Sequence, residues 1–159
     1  MRKQIAAANW KMNLTIANAE KLLDDVMAAS FNLKENHEII FAVPSPYLAM
    51  AQQKLNDKKQ VYVAAQNCYS KKSGAYTGEV SVEMLQSLSI SHVILGHSER
   101  REYFNEGNQL LAEKVNICLE FNITPVFCCG EPLHIREAGK QNDYTEKQLQ
   151  ESLFHLSAQ

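Results

Sequence analysis

Neither sign of charge dominates this chain: 16 lysines and arginines face 18 aspartates and glutamates, for a net charge of −2. Nothing therefore draws it electrostatically towards DNA, RNA or an anionic membrane, and no nucleic-acid or membrane partner is expected. The pairs Lys58-Lys59 and Lys71-Lys72 are too short to make a basic stripe and read as solvated surface. No long hydrophobic run is present. After Met1-Arg2-Lys3-Gln4 the first apolar stretch is only Ile5-Ala6-Ala7-Ala8, too short for a secretory leader core or a membrane span. The expectation is a cytoplasmic protein, in which the sequons Asn13-Leu14-Thr15 and Asn122-Ile123-Thr124 are chance matches. No two cysteines have C-x-x-C spacing, which removes the usual zinc and thioredoxin-like arrangements. Cys68, Cys118, Cys128 and Cys129 are expected to be buried thiols acting as small hydrophobes, with Cys128 and Cys129 on opposite faces of a strand. No H-E-x-x-H pattern involves His37, His92, His134 or His155, which read as structural or surface residues. No metal site is expected from these patterns.

What is present is an ordinary globular balance, 45% hydrophobic and 21% charged, in a chain long enough to bury a core. There is no linker, low-complexity segment or charge block, so residues 1–159 read as one domain. A strand-like run followed by a helix-like run recurs five times. The strand candidates are residues 4–9, 38–44, 60–66, 91–97 and 122–130, each short and rich in Val, Ile, Ala or aromatics. Residues 15–30 carry Ile16, Ala19, Leu22, Leu23 and Val26 at helical spacing, and residues 108–121 carry Leu111, Val115, Cys118 and Leu119. Shorter helices are expected at 46–55 and 79–88, and a last one at 144–156 with Leu149, Leu153 and Leu156 on one face. Repeated βα units predict an α/β fold with a parallel sheet and right-handed crossovers. Five such units fit a small doubly wound sheet or most of an eight-stranded βα barrel. A nucleotide-binding doubly wound domain usually shows a glycine loop at its first βα turn. This chain shows Asn9-Trp10-Lys11-Met12-Asn13 there, without glycine.

The polar residues that end the strands are the candidates for function, because parallel βα folds bind ligands at the C-terminal ends of their strands. Strand ends also meet solvent and are polar for that reason alone. Asn9 and Lys11 are two residues apart, so an extended backbone would point both to one side and Trp10 to the other. Lys11 suits an anionic substrate, and Asn9 can donate to a carbonyl or enolate oxygen, although a surface lysine is the plainer alternative. His97 ends the apolar run Val93-Ile94-Leu95-Gly96, and Ser98-Glu99-Arg100-Arg101-Glu102 reads as the first turn of a short helix. A histidine at a helix N-terminus meets backbone N–H groups that disfavour its protonation, which makes it a candidate neutral hydrogen-bond donor. A lone histidine is more often structural. Residues 67–79 are long for a βα loop and carry Tyr69 and Tyr76, which favours a partner-binding loop over plain surface.

Four motifs in order resemble the triosephosphate isomerase family. They are Ala8-Asn9-Trp10-Lys11-Met12-Asn13; Ala65-Gln66-Asn67 with Gly74-Ala75-Tyr76-Thr77-Gly78-Glu79; Ile94-Leu95-Gly96-His97-Ser98-Glu99-Arg100-Arg101; and Pro125-Val126-Phe127-Cys128-Cys129-Gly130-Glu131 with Arg136-Glu137-Ala138-Gly139. The resemblance implies the first five βα units of a (β/α)8 TIM barrel. It implies interconversion of dihydroxyacetone phosphate and glyceraldehyde 3-phosphate through an enediolate, without cofactor or metal. Asn9, Lys11 and His97 would contact the small phosphorylated substrate, and Glu99 would support the site beside Lys11. His97 would act as a neutral electrophile, this family being the established example of such a histidine. The resemblance also implies a homodimer whose third loop, with Tyr76, Thr77 and Gly78 at its tip, reaches towards the partner's site. Asn105 stands where the family often has glycine. The family's base is a glutamate in a Tyr-Glu-Pro-Val-Trp-like segment after a sixth strand, and its phosphate loops follow strands seven and eight. None of these lies within residues 1–159. The chain alone is therefore expected to be inactive and to self-associate through exposed sheet edges. The alternative expectation is a non-catalytic structural or assembly unit.

Overall fold

The computed structural model describes residues 2–29 and 31–157. Strand β1 (Gln4–Asn9) leads through an open turn to helix α1 (Ile16–Ala28), and β2 (His37–Val43) leads through a short 3-10 turn (Ser45–Tyr47) to α2 (Leu48–Leu55). Then come β3 (Val61–Ala65) and α3 (Val82–Ser87), and β4 (His92–Leu95) with α4 (Ser98–Tyr103) and α5 (Asn108–Glu120). The last unit is β5 (Thr124–Phe127) with α6 (Leu133–Glu137) and α7 (Gln141–Leu153).

All neighbouring strands pair parallel, in the order β1-β2-β3-β4-β5. Doubly wound sheets reverse direction at a switch point, with orders such as 2-1-3-4-5. A strictly sequential order is that of a barrel wall, so the doubly wound alternative falls and the fold is a half-barrel of βα units. Side chains alternate across each strand. Phe41, Val43, Val63, Ala65, Val93 and Leu95 pack outward against Ala19, Leu23, Ala51, Leu85, Leu111, Val115 and Cys118 of the helices. Ile40, Ala42, Ala64 and Ile94 form a second, smaller cluster on the concave face with Tyr62, Val126 and Cys128. Leu23, Leu85, Leu95 and Leu111 are fully buried, each contributing about 2–3 kcal/mol of apolar transfer. Among the described residues β1 and β5 are paired on one side only, and nearly all of β1 is exposed.

The differences from the sequence-based expectations have local causes. Helix α1 ends at Ala28, and Ser30 lies outside the described residues. Helix α3 starts at Val82 rather than at residue 79 because the Ser81 hydroxyl caps it, accepting from the Met84 amide at 3.3 Å. Val80 is used instead to close the preceding loop, its carbonyl accepting from the Tyr69 amide at 2.8 Å. Strand β5 is half the expected length. Asn122 turns left-handed at φ 56°, and the chain leaves the sheet after Phe127. Cys128 is therefore half-buried and Cys129 exposed, so only Cys68 and Cys118 meet the expectation of buried thiols. Helix α6 was not expected, and α7 starts three residues earlier than its apolar spacing implied.

Candidate active site

Lys11 is not extended. It sits in the left-handed region at φ 53°, a conformation that costs a non-glycine residue about 1 kcal/mol or more. Three contacts hold it there. The Lys11 amide donates to Asn9 Oδ1 at 3.0 Å, the Trp10 amide donates to the Ala42 carbonyl at 3.0 Å, and Gln66 Nε2 donates to the Lys11 carbonyl at 2.9 Å. The buried Trp10 ring anchors the turn edge-on against Phe41. Because Asn9 Oδ1 is taken by the Lys11 amide, the side chain of Asn9 offers its amide nitrogen to a ligand.

Lys11 Nζ meets Glu99 Oε1 at 2.8 Å, joining the end of β1 to the start of α4 across 88 residues. The Lys11 hydrogen bond holds the Glu99 carboxyl below the ordinary glutamate range, against a smaller upward push from burial. His97 caps α4, and its Nδ1 accepts from the Glu99 amide at 3.3 Å. Glu99 Oε2 also lies 3.4 Å from the same nitrogen, a contact that would prefer a proton there. The two demands conflict. The backbone N–H is an obligatory donor, and the carboxylate already has Lys11 as a shorter partner. Nδ1 is thus the acceptor, and the hydrogen of a neutral His97 lies on Nε2, free to donate.

The backbone before His97 is tightly specified. Gly96 has φ 74°, and a Cβ there would meet Arg101 Nη2 at 2.9 Å and the Cys128 carbonyl at 3.0 Å. Arg101 donates to the Gly96 carbonyl at 2.8 Å, the Cys128 carbonyl at 3.0 Å and Asn108 Oδ1 at 2.8 Å, while Asn108 Nδ2 donates to Glu151 Oε2 of α7 at 2.8 Å. Burial pushes the Arg101 guanidinium below its ordinary range. A cavity of about 660 Å³ opens beside this clamp, lined by His97, Arg101, Cys129, Glu131, Leu133 and Tyr144 among others. Asn9 and Lys11 do not line it. The contact chain Asn9–Lys11–Glu99–His97, rather than the cavity, is what brings the sequence-predicted residues together.

Tyr76, Thr77 and Gly78 lie apart from that chain on an exposed loop. The loop is nonetheless ordered by its own contacts: Tyr69 and Tyr76 stack at 4.5 Å between centroids, and the Tyr76 ring occupies the space a Cβ on Gly74 would need. Sequence reasoning missed its anchor. Buried Lys114 donates to Asn67 Oδ1 at 2.8 Å and to buried Glu106 Oε1 at 2.7 Å, and Arg100 Nε donates to the same Glu106 oxygen at 2.7 Å. The signal was there: Lys114 falls inside the apolar stripe of α5, three after Leu111 and four before Cys118. Among the described residues no group of three or more His, Cys, Asp or Glu side chains is placed to hold a metal ion.

Compared with known families, residues 4–159 match the one described as Triosephosphate isomerase. The chain belongs to the triosephosphate isomerase family. A triosephosphate isomerase of Cytophaga hutchinsonii is 48% identical over 158 residues, covering 99% of this chain and 62% of the relative. One from Bacteroides fragilis strain YCH46 is 46% identical over 159 residues, covering 100% and 62%. One from Clostridium acetobutylicum is 44% identical over 161 residues, covering 100% and 63%. The chain thus spans a little over three-fifths of the length of the curated relatives it matches. Its half-barrel is the family's fold, and the motifs at the ends of β1, β3, β4 and β5 are the ones the resemblance rested on.

Proposed function

We propose that these residues serve the interconversion of dihydroxyacetone phosphate and glyceraldehyde 3-phosphate in central carbon metabolism, in the cytoplasm. One observation carries the reading: a histidine whose Nδ1 is occupied by a backbone N–H stands in contact with a lysine–glutamate pair at the C-terminal rim of a parallel sheet. His97 Nε2–H donates to the substrate oxygens as charge develops on them in the enediolate, the type of interaction that lowers a barrier most when pre-positioned. Lys11 offsets the substrate's negative charge, Asn9 donates its side-chain amide to an oxygen, and Glu99 fixes where the Lys11 ammonium stands. Tyr76, Thr77 and Gly78 meet a second copy of the chain in a homodimer.

This half of the site binds and polarises but does not abstract the proton. The family's glutamate base belongs to a segment outside residues 1–159, and loss of a positioned base typically costs ~10²–10⁴-fold in rate. The 159 residues by themselves are therefore proposed to give no turnover above background. The test is a coupled assay of triose phosphate isomerisation on the chain alone and on the chain mixed with a polypeptide carrying the remaining barrel strands. Restored turnover that disappears in His97→Gln supports the reading. Turnover by the chain alone refutes the assignment of the base. Association without turnover favours the second reading, a non-catalytic assembly unit, to which β1 and β5, paired on one side only among the described residues, give support.

A further inference from the structure

We infer that Cys68 and Cys118 form an oxidation site, in which a peroxide-class oxidant joins them as an intramolecular disulfide between the base of loop 67–79 and α5. The inference does not depend on the isomerase reading. The fold brings two thiols 50 residues apart to a sulfur–sulfur distance of 3.5 Å, in contact and both fully buried. A disulfide bond is ~2.0 Å long, so about 1.5 Å of closure completes it. Cys68 can supply that movement because it lies past the end of β3, in the loop rather than in the ladder. The remaining thiols have no such arrangement: Cys128 Sγ faces the Val126 carbonyl, and Cys129 is exposed.

Access and electrostatics assign the two sulfurs different roles. Cys68 lines a cavity of about 290 Å³ with Ser45, Gln66, Gly78, Glu79 and Arg100, ample for a peroxide molecule when a water takes ~30 Å³ of liquid volume. Cys118 does not line it. The Cys118 contact, with help from the Lys114 ammonium and against burial, pushes the Cys68 thiol below its ordinary range, while the Cys68 contact and burial push Cys118 well above. Cys68, which lines the cavity, is the sulfur a peroxide meets first, and Cys118 is the one that resolves it. In the first step the Cys68 sulfur attacks one peroxide oxygen, the O–O bond breaks, and the departing hydroxide takes the proton the Cys68 thiol gives up, leaving a sulfenic acid on Cys68 and water. In the second, the Cys118 sulfur attacks the Cys68 sulfur, the S–O bond breaks, and hydroxide leaves as water with the Cys118 proton. Two thiols and one peroxide become one disulfide and two waters. The bond runs along a seam already made by the Lys114–Asn67 hydrogen bond and the Lys71–Glu113 ion pair, so it staples the loop to α5 where the two already meet.

The test treats the reduced full chain with hydrogen peroxide, then reads free thiols in denaturant, intact mass and a non-reduced peptide map. The expected product carries no disulfide between chains, is lighter by two hydrogens, is linked Cys68 to Cys118, and is reversed by dithiothreitol. In the Cys128→Ser/Cys129→Ser variant both remaining thiols are lost to oxidation, and Cys118→Ala gives no intramolecular link. The wild-type peptide map decides the matter even where a variant fails to fold. A first product linked Cys128 to Cys129, a dimer joined through Cys129, a sulfinic acid on Cys68 without a link, or buried thiols that stay free would each overturn the inference.

Discussion

Replacing Lys114 by methionine tests the buried anchor of loop 67–79. Lys114 and Glu106 are both almost wholly enclosed, with side chains 3% exposed, and their contact is 2.7 Å. Breaking a buried pair by removing one partner costs about 3–5 kcal/mol, because the other charge is left uncompensated. Here Arg100 remains on the same Glu106 oxygen at 2.7 Å, which limits the loss. Against that, Asn67 Oδ1 loses the Lys114 donor, and Glu106 Oε2 has no partner among the described residues. Lys114→Met should therefore cost ~3 kcal/mol, near the lower end of the range. For a chain of this size that corresponds to a fall in Tm of ~6–12 °C. Thermal and urea unfolding followed by circular dichroism would measure it. Adding Glu106→Gln removes the stranded charge, so the double variant should lose less than the two singles summed, with a coupling of ~1–3 kcal/mol. A single variant within ~0.5 kcal/mol of the parent, or an additive cycle, would refute the argument.

Two further outcomes follow from the site's geometry. Gly96→Ala should lose ~1–3 kcal/mol to left-handed strain alone, and more as the new Cβ displaces Arg101; an unchanged unfolding midpoint would contradict the clamp described above. The Glu99 carboxyl should titrate below the ordinary glutamate range by NMR, and Lys11→Met should return it upward. A carboxyl depressed in the folded state adds stability that is present above the ordinary range and fades as pH falls through the depressed value, so the Lys11 contact weakens only in acid. An unshifted Glu99 in the parent protein would sink that account.

The sheet was legible because each strand is a compact β-branched or alanine-rich run ending in turn residues, and the helices α1 and α5 because their apolar stripes keep helical spacing. Their failures share a cause. The starts of β5 and α3 are decided by single residues, a left-handed Asn122 and a capping Ser81, that propensity does not weigh. Helix α6 is five residues long and has no stripe to detect. In the candidate site, the positions of Lys11, Glu99 and His97 were readable from strand ends, but the left-handed turn at Lys11 was not, because its support comes from Gln66, 55 residues away. Lys114 was passed over because a charge is taken for surface, although its place in the stripe of α5 pointed inward.

Gln66 also divides what can drift from what cannot. Its one amide nitrogen reaches the carbonyls of both Lys11 and Ala42, at 2.9 and 3.0 Å, so the third strand dictates where the first strand's lysine backbone stops. Met12 beyond it is almost wholly solvated, and Leu14 is exposed. The side chains of Met12 and Leu14 are thus free to vary while the ammonium keeps its place. An alteration at Gln66, which carries no charge, would move that ammonium without touching the lysine at all.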